Sequence, residues 1–322
     1  MNRLCTMRAA IATALLVASM APVAAAAASA GDQAAGTTTD ITVRTADGRD
    51  RTAHVYVPAG LRTDRPVPLL VALHGGTGWG TQFERTSGFD RLADQHGFIV
   101  VYPDGIGIGP NADQLRTWNG GVCCGPAVRR NVDDVAFLKQ LVATISDQQR
   151  IDPNRVFATG HSNGMIMAYR LLCEAADVFV AAAGQAGTLG VDHCRPSQPV
   201  SLRHIHGTAD TNLPLDGGRG STSIAGIDFP SPRAGIRTFA ATDGCPHRPK
   251  ATTRGPVTTR AWRSCDAGTV VELVTVDGAS HAWMGATGRT RPGGPVPSTA
   301  YDSSRSSWAF LAAHPRRGLR VR

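Results

Sequence analysis

Lysine is nearly absent from this 322-residue chain: Lys139 and Lys250 stand alone, and 31 of the 33 basic side chains are arginine. The arginines are scattered and aromatics make up only 6% of the sequence, whereas a nucleic-acid groove needs the two clustered. The formal charge of +8 therefore implies no nucleic-acid partner. Long apolar runs are missing too. Past the first thirty residues nothing approaches the ~20 apolar positions that cross a bilayer, so no stable membrane insertion of the mature chain is expected. No internal repeat and no long Pro/Thr/Ser linker is present, so nothing suggests a separate module. Two glycine-rich stretches lack nucleotide-binding spacing. His74-Gly75-Gly76-Thr77-Gly78 is not followed by Gly-Lys-Ser/Thr, and Gly105-Ile106-Gly107-Ile108-Gly109 is not G-x-G-x-x-G. C-x-x-C pairs are absent, and neither a metal nor an organic cofactor is expected.

What the first thirty residues do contain is an export signal. Arg3 and Arg8 form a basic start, Ala9 to Val17 begin an apolar core, and Ala28-Ser29-Ala30 or Ala26-Ala27-Ala28 offers a cleavage site. A membrane anchor is the rival reading, and Pro22 with the small residues after it favours cleavage. Loss of Arg3 and Arg8 lowers the formal charge to +6. The expected organisation is signal 1–30, flexible lead-in 31–40, one catalytic domain 41–314 and a frayed basic tail 315–322. An extracellular product is implied. Six cysteines then remain, an even set that an oxidising compartment pairs in one of 15 ways. Cys245–Cys265 is the first choice; Cys123 and Cys124 pair either with each other or separately with Cys173 and Cys194.

Hydropathy patterning gives the elements. Ile41–Val43 and Ala53–Val57 flank an Asp47-Gly48 turn and read as a hairpin. Val67–Leu73 and Phe98–Tyr102 are unbroken apolar runs, as strands buried on both faces are. Phe89–His96 reads as a helix stopped by Gly97, and Asn131–Gln149 as a longer one with Val132, Val135, Phe137, Leu138, Leu141, Val142 and Ile145 inward. Later strands are expected at Val178–Ala183, Val200–Ile205, Thr259–Ser264 and Val270–Val276, with helices at Ala234–Thr242 and Thr299–Ala313. Strands alternating with helices imply an α/β fold with a mainly parallel sheet covered on both faces, and active residues then collect at strand carboxyl ends.

The stretch Arg155–Leu172 is a β-rich run, then Gly160-His161-Ser162-Asn163-Gly164, then apolar residues at helical spacing. G-x-S-x-G between a strand and a helix lifts a serine off the sheet, where helix N-terminal amides face a developing oxyanion. Three more strand ends carry useful residues. The His74-Gly75-Gly76 turn can aim a backbone N–H at the oxyanion that Asn163 N–H also faces. Asp210, after His204-Ile205-His206-Gly207, is either an orienting acid or a solvated turn residue. His204 and His206 are placed on opposite strand faces, which argues against a zinc pair. His281, after the last strong strand, completes the order Ser, Asp, His of an α/β-hydrolase. Trp118-Asn119 lies in an insertion ahead of the long helix and is either a ligand-facing aromatic or a buried structural one.

Taken in order, LHGG at Leu73–Gly76, GFIVVYPDG at Gly97–Gly105, WNGGVCCG at Trp118–Gly125, VDDVAFL at Val132–Leu138, GHSNGM at Gly160–Met165 and HGTAD at His206–Asp210 form a specific set. The chain from Arg51 to Trp283 resembles the secreted esterases of the poly(3-hydroxybutyrate) depolymerase and feruloyl-esterase type. The resemblance implies Ser162 as nucleophile, Asp210 as acid and His281 as base, with Gly76 and Asn163 amides as the oxyanion hole. A substrate wall is expected to draw on His74, Trp118, Asn119, His161 and Trp283. The substrate would be a carboxylic ester: a hydroxybutyrate-type oligoester, or a feruloyl or acetyl ester on a polysaccharide. An acyltransferase or a non-catalytic binding protein on the same fold is the alternative. Gly278-Ala279-Ser280-His281 and Trp283-Met284 depart from the family's GGGH and Trp-Pro, and this departure bears on the pocket wall.

Overall fold

The computed structural model describes residues 36–107, 115–288 and 294–316, besides Met1. The expected export signal, the first half of the lead-in and the tail from 317 lie outside the described residues, as do positions 108–109 of the second glycine run. The chain opens with β1 (Thr37–Arg44) and β2 (Asp50–Val57), an antiparallel pair turning through Gly48 in the left-handed region. β1 thus begins four residues before the expected start. The continuous apolar runs become β3 (Val67–Leu73) and β4 (Ile99–Pro103), buried along their whole lengths. Between them lie α1 (Gly80–Ser87) and α2 (Phe89–His96), the latter stopped by left-handed Gly97. A short α3 (Gly125–Arg129) precedes α4 (Asp134–Gln148), whose N-terminus is capped by the Asp133 side chain.

β5 (Ile151–Gly160) feeds α5 (Asn163–Glu174), and β6 (Ala181–Gln185), β7 (Ser201–Gly207) and α6 (Pro232–Thr242) follow. The C-terminal part adds β8 (Lys250–Arg254), β9 (Val257–Trp262), β10 (Val271–Val276) and α7 (Ser303–Ala313). The ten strands form one sheet in the order β1-β2-β4-β3-β5-β6-β7-β10-β9-β8. The centre from β4 to β10 is parallel, and both ends are finished by antiparallel pairs. Alternation on β3 shows how the layers divide. Leu69, Val71 and Leu73 pack with α4, α5 and α6, while Leu70 and Ala72 pack with α1, α2 and α7. This is the α/β-hydrolase arrangement expected from the pattern. Other bounds shift: the strand expected at Val178–Ala183 starts at Ala181, that expected at Thr259–Ser264 is Val257–Trp262, the helix expected from Asn131 starts at Asp134, and the closing helix starts at Ser303, capped by Asp302.

The six cysteines described pair as Cys123–Cys124, Cys173–Cys194 and Cys245–Cys265. Of the two alternatives for the adjacent cysteines, the structure has the vicinal one. The start of the tail is held rather than frayed: Arg316 donates its backbone N–H to Asn154 O at 2.9 Å and its guanidinium to Asp177 O at 3.1 Å.

Two stability tests follow from these contacts. Cys245 and Cys265 lie 20 positions apart, and closing such a loop contributes about 3 kcal/mol in the chain-entropy model. Replacing both by Ser lowers the melting temperature while kcat on a soluble ester stays within about twofold, and peptide mapping without reduction shows the three pairs. The second concerns Asp243 at the end of α6, fully enclosed and accepting from Val200 N at 3.2 Å. Burial lifts its pKa from 3.8 to about 7. Between those values the folded protein keeps a proton that the unfolded chain has lost, so raising the pH through this window removes stability. In Asp243→Asn the fall in melting temperature from about pH 4 to about pH 7 becomes smaller than in the wild type.

Candidate active site

Ser162 sits between the end of β5 and the first residue of α5 with φ 55° and ψ −121°, a conformation costly for any residue with a side chain. The surroundings hold it there. Ser162 N–H donates to Gln185 O at 2.9 Å at the end of β6, and the Ser162 carbonyl accepts from Met165 and Ile166 in the first helical turn. The flanking glycines are required by space. A Cβ on Gly160 would lie 2.5 Å from the Gly164 carbonyl carbon. One on Gly164 would collide with Leu73 O and lie 2.5 Å from His74 O. The motif is thus the footprint of α5 packed directly against the ends of β3 and β5. Ser162 itself is half-buried, with its helix N-terminus behind it.

Asp210 follows β7 and His281 follows β10, and the two strands are parallel neighbours. His281 Nδ1 donates to Asp210 Oδ2 at 2.7 Å. Asp210 is buried; its Oδ1 accepts from the backbone N–H groups of Asn212 and Leu213, both at 2.9 Å. Burial alone would raise its pKa, but His281, His206 and the Leu213 amide together hold it below the ordinary carboxylate value. It is therefore an anchored anion rather than a solvated turn residue. The imidazole of His281 remains half-buried.

The turn after β3 runs alongside. A Cβ on Gly75 would lie 3.6 Å from Ser162 Cβ, and one on Gly76 would lie 3.6 Å from Asn163 Cβ. Gly76 and Asn163 are thus adjacent across the elbow. The turn is fixed by Gly78 N donating to Gly75 O at 3.0 Å and Thr77 N donating to Arg116 O at 2.8 Å. Asn163 Oδ1 accepts from Trp118 N at 2.7 Å and its amide donates to Trp118 O at 3.0 Å, which locks the insertion onto the start of α5.

The residues expected to form a substrate wall are placed differently. Trp118 is fully enclosed and donates Nε1–H to His74 O at 3.0 Å, so the buried reading of this residue is what the structure has. Trp283 is enclosed too, donating to Ser304 Oγ at 2.9 Å and packed edge-on against Phe83. Asn119 is buried and takes its backbone N–H to Asp134 Oδ2 at 2.8 Å. His74 donates Nδ1–H to Gly75 O at 2.7 Å and accepts from Gly105 N at 2.9 Å, and burial pushes it down to about 4. His161 donates Nε2–H to His281 O at 2.7 Å, and burial, then the nearness of His281, pushes it down to about 3. His74, Trp118, Asn119 and Trp283 are thus buried, while His161 is half-buried like Ser162 and His281.

The expectation for His204 and His206 is corrected. Residues two apart on a strand share a face, and His204 Nε2 lies 2.8 Å from His206 Nδ1. His206 gives its Nε2–H to Leu213 O at 2.9 Å, so its Nδ1 accepts from His204. Burial lowers both pKa values and keeps the pair neutral. Among the described residues no group of three or more His, Cys, Asp or Glu side chains is arranged to hold a metal ion. Gln185, which takes the Ser162 N–H, was not singled out in the sequence. A lone amide closing an Ala-Ala-Ala-Gly run was the available signal.

With this geometry in view, comparisons with known proteins carry weight. The chain is similar to feruloyl esterase B of Piromyces equi, at 32% identity over 235 residues, covering 71% of this chain and 42% of that protein. It is similar to poly(3-hydroxyalkanoate) depolymerase C of Paucimonas lemoignei at 27% over 246 residues, covering 70% and 57%. The chain thus spans about half the length of these curated relatives. In fold it resembles the acetyl xylan esterase from Aspergillus awamori, with a TM-score of 0.55 at 17% identity over 76% of this chain and 94% of that one. The Esterase family model matches residues 45–248, more than half of the sequence, and the chain belongs to that family.

Proposed function

We propose that the protein is a secreted serine esterase that cleaves carboxylic esters through an acyl-enzyme. The observation that carries this reading is the 2.7 Å bond from His281 Nδ1 to a buried, amide-anchored Asp210, at the same sheet edge as a serine on a strained elbow. Bound to Asp210 through Nδ1, the imidazole keeps Nε2 as its basic atom. Ser162 Oγ attacks the ester carbonyl carbon as its proton passes to His281 Nε2. The Gly76 and Asn163 amides receive the oxyanion. Collapse expels the alcohol, which takes the proton from His281. Water then repeats the sequence, releasing the acid and restoring Ser162.

For the substrate, the relatives named feruloyl esterase and poly(3-hydroxyalkanoate) depolymerase support a polysaccharide-linked acyl ester or a hydroxyalkanoate oligoester. Three disulfides support an extracellular location. Turnover of feruloyl, acetyl-xylan, short-chain nitrophenyl and hydroxybutyrate-oligomer esters, compared by kcat/KM, tests the substrate class. Hydrolysis of none of them would remove the esterase reading.

Ser162→Ala leaves the fold intact and lowers kcat by about 10⁴-fold or more on any accepted ester. Asp210→Asn spares KM and lowers kcat by about 10²- to 10⁴-fold, because the imidazole loses the acceptor that sets its tautomer. Asp216→Asn is the control: that carboxylate is exposed and paired with Arg233, and its loss should leave turnover near wild type. Greater damage from Asp216→Asn than from Asp210→Asn would move the acid to another position.

A further inference from the structure

The loop after β10 that carries His281 has little secondary structure of its own, and Gly278 at its start takes φ 68°. Its backbone is nevertheless gripped from one side. His281 O accepts from His161 Nε2 at 2.7 Å and lies 3.5 Å from Gln185 Nε2. The same Gln185 amide donates to Ala282 O at 2.7 Å, while its Oε1 accepts from Met284 N at 3.0 Å and Ser303 Oγ at 2.7 Å. Gln185 is wholly buried, and both of its amide heavy atoms are satisfied. Both donors are also tied to the nucleophile. His161 precedes Ser162 by one residue, and Gln185 O accepts the Ser162 N–H at 2.9 Å.

We propose that His161 and Gln185 are positioning residues that set the reach between Ser162 and His281 by holding the backbone carbonyls of the His281 loop. This rests on the triad reading given above. The chemistry suits the task. Both donors are neutral, whereas a Lys or Arg in their place would set a cation against the imidazolium that His281 becomes during turnover. Gln185 is enclosed and His161 half-buried, and each links the elbow to the base loop through side-chain hydrogen bonding. Their hydrogen bonds go to the loop carbonyls of His281 and Ala282, so the expected effect falls on kcat rather than KM.

The test uses the full chain on a soluble chromogenic ester. In His161→Phe and Gln185→Glu, each losing the donor, kcat falls about 10- to 100-fold while KM stays within about threefold. The low-field proton resonance of the His281 Nδ1–H bond to Asp210 broadens in both. His161→Gln restores a neutral donor and recovers kcat to within about threefold of wild type, with the resonance. Folded His161→Phe or Gln185→Glu with wild-type kcat overturns the proposal, and so does His161→Gln as slow as His161→Phe. If His161→Phe does not fold, Gln185→Glu against His161→Gln decides on the same readouts. Ser162→Ala, run alongside, separates the two claims. Full turnover there removes the triad reading itself; an inactive Ser162→Ala beside clamp variants of wild-type kcat overturns only the positioning role.

Discussion

The rest of the molecule is arranged around one close approach, that of the first turn of α5 to the carboxyl ends of β3 and β5. Gly164 meets the carbonyls of Leu73 and His74, and Gly160 meets Gly164, at separations no Cβ could share. Because the helix starts that close to the sheet, its amides and the Gly75-Gly76 turn are brought beside one another. Because the chain turns that sharply, Ser162 is forced into a left-handed conformation and its side chain is raised. The neighbouring strands must then end in small or specifically bonded residues. Gly184 and Gln185 close β6 against the elbow, and Gly207 closes β7 against the loop before His281.

Electrostatically the region is divided between silent and active groups. His74, His204 and His206 are enclosed and His161 is half-buried, and desolvation lowers the pKa of each, so four imidazoles near the elbow act as neutral donors and acceptors. His281 beside them is half-buried and hydrogen-bonded to the Asp210 carboxylate. A second buried carboxylate, Asp134, serves a different end. It pairs with Arg51 at 2.8 Å and accepts from Asn119 N, holding the 118–125 insertion in place. Burial lowers the Arg51 pKa and raises that of Asp134, so desolvation outweighs the attraction at both partners. Such a pair specifies where the insertion sits more than it adds to stability.

Much of this was legible in the chain. Unbroken apolar runs located β3 and β4, the 3.6-residue repeat located α4, and the Gly97 stop signal fixed the end of α2. Ser162, Asp210 and His281 could be picked out because each follows a strand. The elements that escaped have weak patterns: α1 is polar apart from Phe83, α3 is only five residues long, and every residue of β8 is exposed. The differences at the site have two causes. Sequence places Trp283 two positions after His281 and Trp118 in the insertion but does not say on which side of the backbone they fall, and both are buried. The histidines of β7 were misplaced by misapplying the strand period, since positions 204 and 206 share a face.

The three cystine bridges occur one after another along the chain, none nested in or crossing another, with separations of 1, 21 and 20 positions. A chain delivered amino-terminus first presents each pair complete before the next cysteine arrives. Of the 15 ways to join six thiols, the native one is therefore reached by linking each cysteine to the nearest that is free. Pairing in order of arrival reaches this set without reshuffling by thiol exchange.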